Sequence, residues 1–400
     1  MKSRFKLLFA LMLSMALVAA ACGSSSDDAS SDGEDTAGAA DDASSGDEDD
    51  ASEGDDAMDD DDAMDDANQT PGEGVSVVAA RANWSTGYMQ GAIVSALLEE
   101  LGYDVTDPAQ AEFPPANGYV AMAEGELDFW ANSWMPGHLS WFEPELTDGS
   151  TVGDNLVILG NMMPSSAIEG LVITKSIADE NGITSLQQVN DTPELVELFD
   201  TDGNGLANLF GCPEDWTCDD ILQSTIDRNG WTNLEQTKAG YDGMVAETLN
   251  RVNAGDPAIQ YTWSPSGYLA QLIPGDNVMW LSLGGEELVC DGTEPCQEDW
   301  DFAASGPAAL GATCTEDPCW TGWTSADIQI TANKEFADNN PAASKLFELV
   351  TISVIDAVNY SVRYNNGENT EDDVKAIAAE WIADNRDLVD EWLHEARAAA

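Results

Sequence analysis

Three tryptophans stand beside turn-forming residues instead of inside an apolar repeat. Trp134 lies in Asn132-Ser133-Trp134-Met135-Pro136-Gly137-His138, Trp216 in Cys212-Pro213-Glu214-Asp215-Trp216-Thr217-Cys218, and Trp263 in Tyr261-Thr262-Trp263-Ser264-Pro265. The local pattern places the first just after a strand, the second just before a helix and the third at the end of a strand. Ligands of open α/β sheets gather beyond the carboxyl ends of the strands, so all three occupy suitable positions. Indole faces attract cations and suit a quaternary ammonium, which has no N–H that needs an acceptor. One such tryptophan would be assigned to packing; three at junctions, out of 13 in the chain, point to a cation box.

Two further clusters could bind metal. The stretch Asp200-Thr201-Asp202-Gly203-Asn204-Gly205 opens like an EF-hand loop, with oxygen ligands on Asp200, Asp202 and Asn204. The acid needed at the twelfth position is missing, because Gly211 stands there, so a Gly/Asn/Asp turn is preferred and no metal is assigned. Six of the seven cysteines fall in close pairs, Cys212 with Cys218, Cys290 with Cys296 and Cys314 with Cys319. In an oxidising compartment these read as three small disulfide loops. Zinc is the weaker alternative, since only His138 and His394 could supply imidazole and no Cys-x-x-Cys occurs.

The compartment follows from the N-terminus. Lys2, Arg4 and Lys6 precede an apolar run that closes on Ala19-Ala20-Ala21-Cys22. This is a signal peptide over residues 1–21, too short for a membrane span and ending in small residues. A cysteine directly after that site resembles the bacterial lipobox, although Ala19 stands where a leucine is usual. Acylation of Cys22 is therefore expected, with ordinary cleavage near Ala21 as the alternative. Residues 22–74 hold almost nothing but Asp, Glu, Ser, Ala and Gly, with no Lys, Arg or aromatic residue. Such a segment cannot bury enough apolar surface to offset its ordering entropy, so it reads as a disordered, self-repelling tether. The whole chain sets 75 acidic against 14 basic residues, a net charge of −61. Phosphate binding needs clustered positive charge, so nucleic acid is excluded as a partner.

The elements that must position the tryptophans lie between Val75 and Ala400, a length that implies two domains. Strand candidates at 75–80, 104–105, 127–131, 170–173, 258–263 and 278–281 alternate with helix-length segments, which implies mostly parallel α/β sheets. The C-terminal region reads as helices over 341–358, from 370 onward and over 387–397, with Trp381 and Trp392 as packing residues.

The chain closely resembles the periplasmic glycine betaine and proline betaine-binding proteins of ABC importers. The resemblance rests on Trp134-x-Pro136-x-His138, on Leu198-Phe199-Asp200-Thr201-Asp202-Gly203-Asn204-Gly205 followed by Gly211-Cys212 and Trp216-x-Cys218, on Tyr261-Thr262-Trp263-x-Pro265, and on Ala332-Asn333-Lys334 with Asn340-Pro341-Ala342-Ala343-x-Lys345-Leu346-Phe347. It implies an α/β, two-lobed type II periplasmic-binding fold with a two-crossing hinge. Lobe 1 would take residues 75–168 plus 327–400, and lobe 2 residues 169–326. It also implies that Trp134, Trp216 and Trp263 box an ammonium head, while His138 and the backbone N–H groups of Thr217 and Cys218 hold a carboxylate. The loop would be fixed by Cys212 and Cys218. Backbone N–H groups at a helix N-terminus suit an anion, and a closed loop lowers the ordering cost of binding. Gly137 and Ser266-Gly267 stand where the enterobacterial pattern has bulkier residues, and the region 284–323 is longer.

The resulting expectation is an exported lipoprotein on the outer face of the cell membrane, touching the membrane only through its anchor. It would be a monomer without a cofactor, taking glycine betaine or proline betaine to an ABC permease. It is not read as an enzyme. A secreted hydrolase with a structural calcium is the rival class, but the chain has no G-x-S-x-G elbow and no zinc signature. A tethered osmotic sensor without transport is the third.

Overall fold

The computed structural model describes residues 69–284 and 310–400. The export segment, Cys22, most of the acidic stretch, and Cys290 with Cys296 lie outside the described residues. The described chain is already tied to the fold at Gly72, whose N–H donates to the Leu101 carbonyl at 2.9 Å.

The described strands are β1 (Ser76–Val77), β2 (Ala79–Ala82), β3 (Asp104–Val105), β4 (Glu112–Phe113), β5 (Phe129–Met135), β6 (Leu156–Thr174), β7 (Ala207–Phe210), β8 (Leu234–Thr237), β9 (Ile259–Ser264), β10 (Val278–Leu281) and β11 (Ala326–Asn333). A short parallel pair joins β1 to β3, and the others form one sheet in the order β4-β2-β5-β11-β6-β9-β7-β8, with β10 added to β6. Every residue of β2, β5 and β7 is buried, as expected for strands covered on both faces. The helix Tyr88–Glu100 covers one such face with Ile93, Val94, Leu97 and Leu98, all fully buried.

The sheet is mixed, not mostly parallel. The pairs β2–β4, β2–β5, β7–β8 and β7–β9 are parallel, but β11 runs against β5 and β6, and β6 runs against β9 and β10. The cause is the path of the chain. It passes from one half of the sheet to the other along β6 and returns on β11, so the two middle strands must point opposite ways. The 19-residue β6 pairs with β11 from Leu156 to Ala167 and with β9 from Ile168 to Ile173. The architecture is therefore α/β and two-lobed, of the type II binding-protein kind.

The C-terminal region departs from the sequence pattern in one place. The single helix expected over 341–358 is two, Pro341–Leu349 and Val354–Asn365. Between them Ile352 N–H donates to the Met162 carbonyl on β6 at 3.0 Å, which takes the chain out of helical hydrogen bonding. Ser353 then restarts the helix by accepting from Asp356 N–H. Further on, Thr370 and Asp373 cap the helix Glu371–Asp384 reciprocally, and Trp381 stacks on Trp392 with centroids 6.4 Å apart.

Candidate functional site

Trp134 is the penultimate residue of β5, one position inside the strand and not beyond it. Its indole N–H donates to Asn132 Oδ1 at 2.9 Å. The same oxygen accepts the indole N–H of Trp84 at 2.8 Å, and Asn132 Nδ2 is anchored on Gln90 Oε1 at 2.9 Å. Trp84 comes just after β2, which runs parallel to β5, so the two indoles are delivered side by side. A buried amide oxygen that fixes two rings leaves little freedom for either.

His138 follows on the turn Gly137–Phe142 and is 5 % exposed. Its Nδ1 accepts the Trp134 backbone N–H at 3.3 Å and lies 2.8 Å from the Tyr119 hydroxyl. A ring nitrogen that accepts an amide N–H carries a lone pair, so the imidazole proton sits on Nε2. Burial holds the pKa down at about 3, and the ring is a neutral donor at ordinary pH.

The opposite half of the sheet supplies the loop between β7 and the helix Thr217–Arg228. Cys212 and Cys218 are joined, with Cα atoms 6.0 Å apart, and Asp215 between them takes φ of 72°, a region that aspartate tolerates better than most residues. Trp216 is the extended N-cap residue of the helix, and no side chain caps that end. The first N–H groups of a helix have no acceptor within it and carry the positive end of its dipole. Asp219 in the first turn is matched by Lys238 Nζ at 2.8 Å. Two hydrogen bonds join this loop to the other half: Trp216 Nε1 to Asn83 Oδ1 at 3.0 Å and Trp141 Nε1 to Thr217 Oγ1 at 2.9 Å.

Trp263 stands on β9 with Tyr241, Trp216 and Tyr261 at centroid distances of 4.7, 5.7 and 6.0 Å. Its buried indole N–H has no hydrogen-bond partner among the described residues, so packing orients the ring. Trp134, His138, Trp216, Thr217, Cys218 and Trp263, the residues singled out from the sequence, all line one cavity of about 40 Å³. Trp84, Glu169 and Tyr261 line it too. Glu169 accepts the Tyr261 hydroxyl and faces Trp263 across the β6–β9 ladder, and burial pushes its carboxyl up to about 7. The arrangement can surround a cation with aromatic faces while presenting neutral donors to an anion.

Sequence reasoning missed Trp84 and Glu169. Trp84 precedes Ser85-Thr86-Gly87, turn chemistry that could have marked it as Pro136-Gly137 marked Trp134. Glu169 gave no signal, because one acid in an extended stretch reads as a solvent-facing position. Of the two glycines that stand where the enterobacterial pattern has bulkier residues, Gly137 has room, since a Cβ there would meet only Thr217 Cγ2 at 4.0 Å. Gly267 has none: a Cβ would fall 2.5 Å from the Ser361 carbonyl carbon. The Asp200 loop closes on itself, with Asp200 Oδ1 accepting from Gly203 and Asn204 N–H and Oδ2 from Gly205 N–H. No cluster of three or more metal-ligating side chains occurs among the described residues. Cys314 and Cys319 are joined, with Cα atoms 5.9 Å apart.

Two lobes sharing long middle strands, with a cavity lined from both, define a solute-binding protein. The chain belongs to the family of substrate-binding domains of ABC-type glycine betaine transport systems, whose model matches residues 75–384. It is 30 % identical to the glycine betaine-binding periplasmic protein OusX of Dickeya dadantii over 340 residues, 84 % of this chain and 93 % of that one. It is also 30 % identical to the glycine betaine/proline betaine-binding periplasmic protein of Escherichia coli over 334 residues, 83 % of this chain and 93 % of that one. Among solved structures, an ABC-transporter choline-binding protein in complex with choline superposes with a TM-score of 0.58 at 16 % identity, covering 81 % of this chain and 96 % of that one.

Proposed function

We propose that this chain captures glycine betaine or proline betaine for an ABC permease and releases it unchanged. The observation that carries the proposal is the convergence of Trp134, Trp216 and Trp263 with His138, Thr217 and Cys218 on one cavity. The indoles box the quaternary ammonium. His138 Nε2–H and the N–H groups of Thr217 and Cys218 hold the carboxylate, and the helix dipole favours the negative charge there. Trp84 serves as a fourth wall, fixed by the same Asn132 oxygen as Trp134.

Lobe 1 takes residues 75–168 plus 327–400 and lobe 2 residues 169–326. Closure turns on β6 between Ala167 and Ile168, where the strand changes partner, and on β11 beside Ala326. The cross-lobe bonds Trp216–Asn83 and Trp141–Thr217 belong to the closed state. Cys22 anchors the protein outside the cell membrane and residues 22–74 space the lobes from it. The protein acts as a monomer. Tryptophan emission during titration with glycine betaine tests the proposal: saturable change is expected, and a flat trace at millimolar ligand would contradict it.

A further inference from the structure

Glu169 is the one carboxylate lining the cavity, and no lysine or arginine lines it among the described residues. It sits on β6 directly opposite Trp263 of β9, and directly opposed residues in an antiparallel ladder project on the same face. Among the described residues, its side-chain hydrogen-bond partner is the Tyr261 hydroxyl. The other titratable groups around it are His138, Tyr261 and, behind Tyr261, Tyr241, whose hydroxyl donates to the Tyr261 carbonyl at 3.0 Å. His138 is neutral, and burial raises both tyrosines above their ordinary range. Among the described residues no cation thus compensates an ionised Glu169, and a ligand's ammonium would.

Resting on the binding function proposed above, we propose that Glu169 is the counter-charge for the ligand's cationic head, and that ligand entry expels one proton from it. Without ligand, burial keeps the carboxyl protonated up to about pH 7. A cation in the box favours the charged form, so binding below that pH is an exchange of ligand cation for proton. The proton leaves to solvent and the ligand is chemically unchanged. A quaternary ammonium offers no N–H, so Glu169 acts on it by charge alone. A ligand with no carboxylate of its own depends on that charge more than a zwitterion does. Glu169 thereby widens the ligand class from betaines to simple quaternary ammonium cations such as choline.

Calorimetric titration of the full chain with glycine betaine and with choline, from pH 5.5 to 8.5, tests this. At pH 6, repeating the titration in buffers of different ionisation enthalpy should show close to one proton released per ligand. Wild-type affinity for both ligands should rise up to about tenfold per pH unit toward pH 7 and then level off. Glu169→Gln, a neutral isostere, should flatten that profile and lose more affinity for choline than for glycine betaine. If wild type binds but releases no proton, or if Glu169→Gln keeps the slope, the role of Glu169 is refuted while the binding function stands. The proton count needs only the wild-type protein, so it decides the matter even if the variant folds poorly. If wild type at pH 8 binds neither ligand, the binding function itself falls.

Discussion

The backbone N–H of Trp134 lies 3.3 Å from Nδ1 of His138, so the strand that presents one wall of the cavity also sets the tautomer of its imidazole. The Tyr119 hydroxyl faces the same nitrogen at 2.8 Å. The remaining ring proton is therefore committed to Nε2 before any ligand arrives, and the ring's orientation costs little on binding.

This burial couples stability to pH. Below about pH 6.5 the unfolded chain protonates His138 and the folded chain does not, because its pKa is held at about 3. The contribution of His138 is thus full above pH 6.5 and is lost as pH falls through that window, with a slope approaching ~1.4 kcal/mol per pH unit. Urea melts of ligand-free protein between pH 7 and 4 should show wild type weakening more steeply than His138→Gln. Parallel curves would contradict the neutral, buried imidazole. In titrations, His138→Ala should weaken betaines and leave choline nearly unchanged.

Glu169 has the opposite sign. Its folded pKa of about 7 exceeds the ordinary carboxylate value, so it favours the fold at low pH and that contribution is lost as pH rises toward 7. Glu169→Gln should therefore gain stability at pH 7.5 relative to pH 4.5 when compared with wild type, read as the change in urea midpoint between the two pH values. An unchanged difference would remove the case for a buried carboxyl there.

The loop disulfide makes a separable prediction. Cys212 and Cys218 are six positions apart, and closing a loop of that size contributes about 2 kcal/mol in the chain-entropy account. Cys212→Ser with Cys218→Ser should cost roughly that in stability and also weaken betaine binding, because Thr217 and Cys218 lie on the loop. Loss of the pair Cys314–Cys319, which does not line the cavity, should leave affinity unaltered. Non-reducing peptide maps should link 212 to 218 and 314 to 319; crossed linkages would contradict the pairing.

If the lobes close on the ligand as proposed, two bonds between the halves of the sheet should hold the closed state. Asn83→Ala removes the acceptor of Trp216 Nε1 and Trp141→Phe removes the donor to Thr217 Oγ1. Each should weaken betaine binding by about 0.5–1.5 kcal/mol. Small-angle scattering should show the variants more open at equal ligand concentration. Wild-type dimensions and affinity in the double variant would show that these contacts do not hold the closed state.

Much of the site was legible because its residues announce themselves locally. Trp134, Trp216 and Trp263 sit beside Pro136, Cys218 and Pro265, where no amphipathic period explains an indole. What was not legible depends on pairing. The 19-residue β6 showed only its apolar end, 170–173, because residues from Leu156 onward are stabilised by β11, more than 150 positions away. Glu169 becomes a cavity residue only through its register with Trp263. The break at 350–353 follows from the Ile352–Met162 bond, which no local propensity reports. The closeness of Trp84 to Trp134 needs β2 beside β5, a parallel pairing with 40-odd residues between the strands.

Betaine binding by the indole box is the proposal on which the other roles depend. Isothermal titration of wild type and of Trp134→Ala, Trp216→Ala and Trp263→Ala with glycine betaine, proline betaine and glycine tests it most directly. Both betaines should bind wild type far better than glycine, whose three N–H donors indole faces cannot satisfy. Each alanine variant should lose about 0.5–2 kcal/mol from cation–π loss, and more where the cavity opens. Wild type that ignores both betaines, or three variants that bind as well as wild type, would contradict the account.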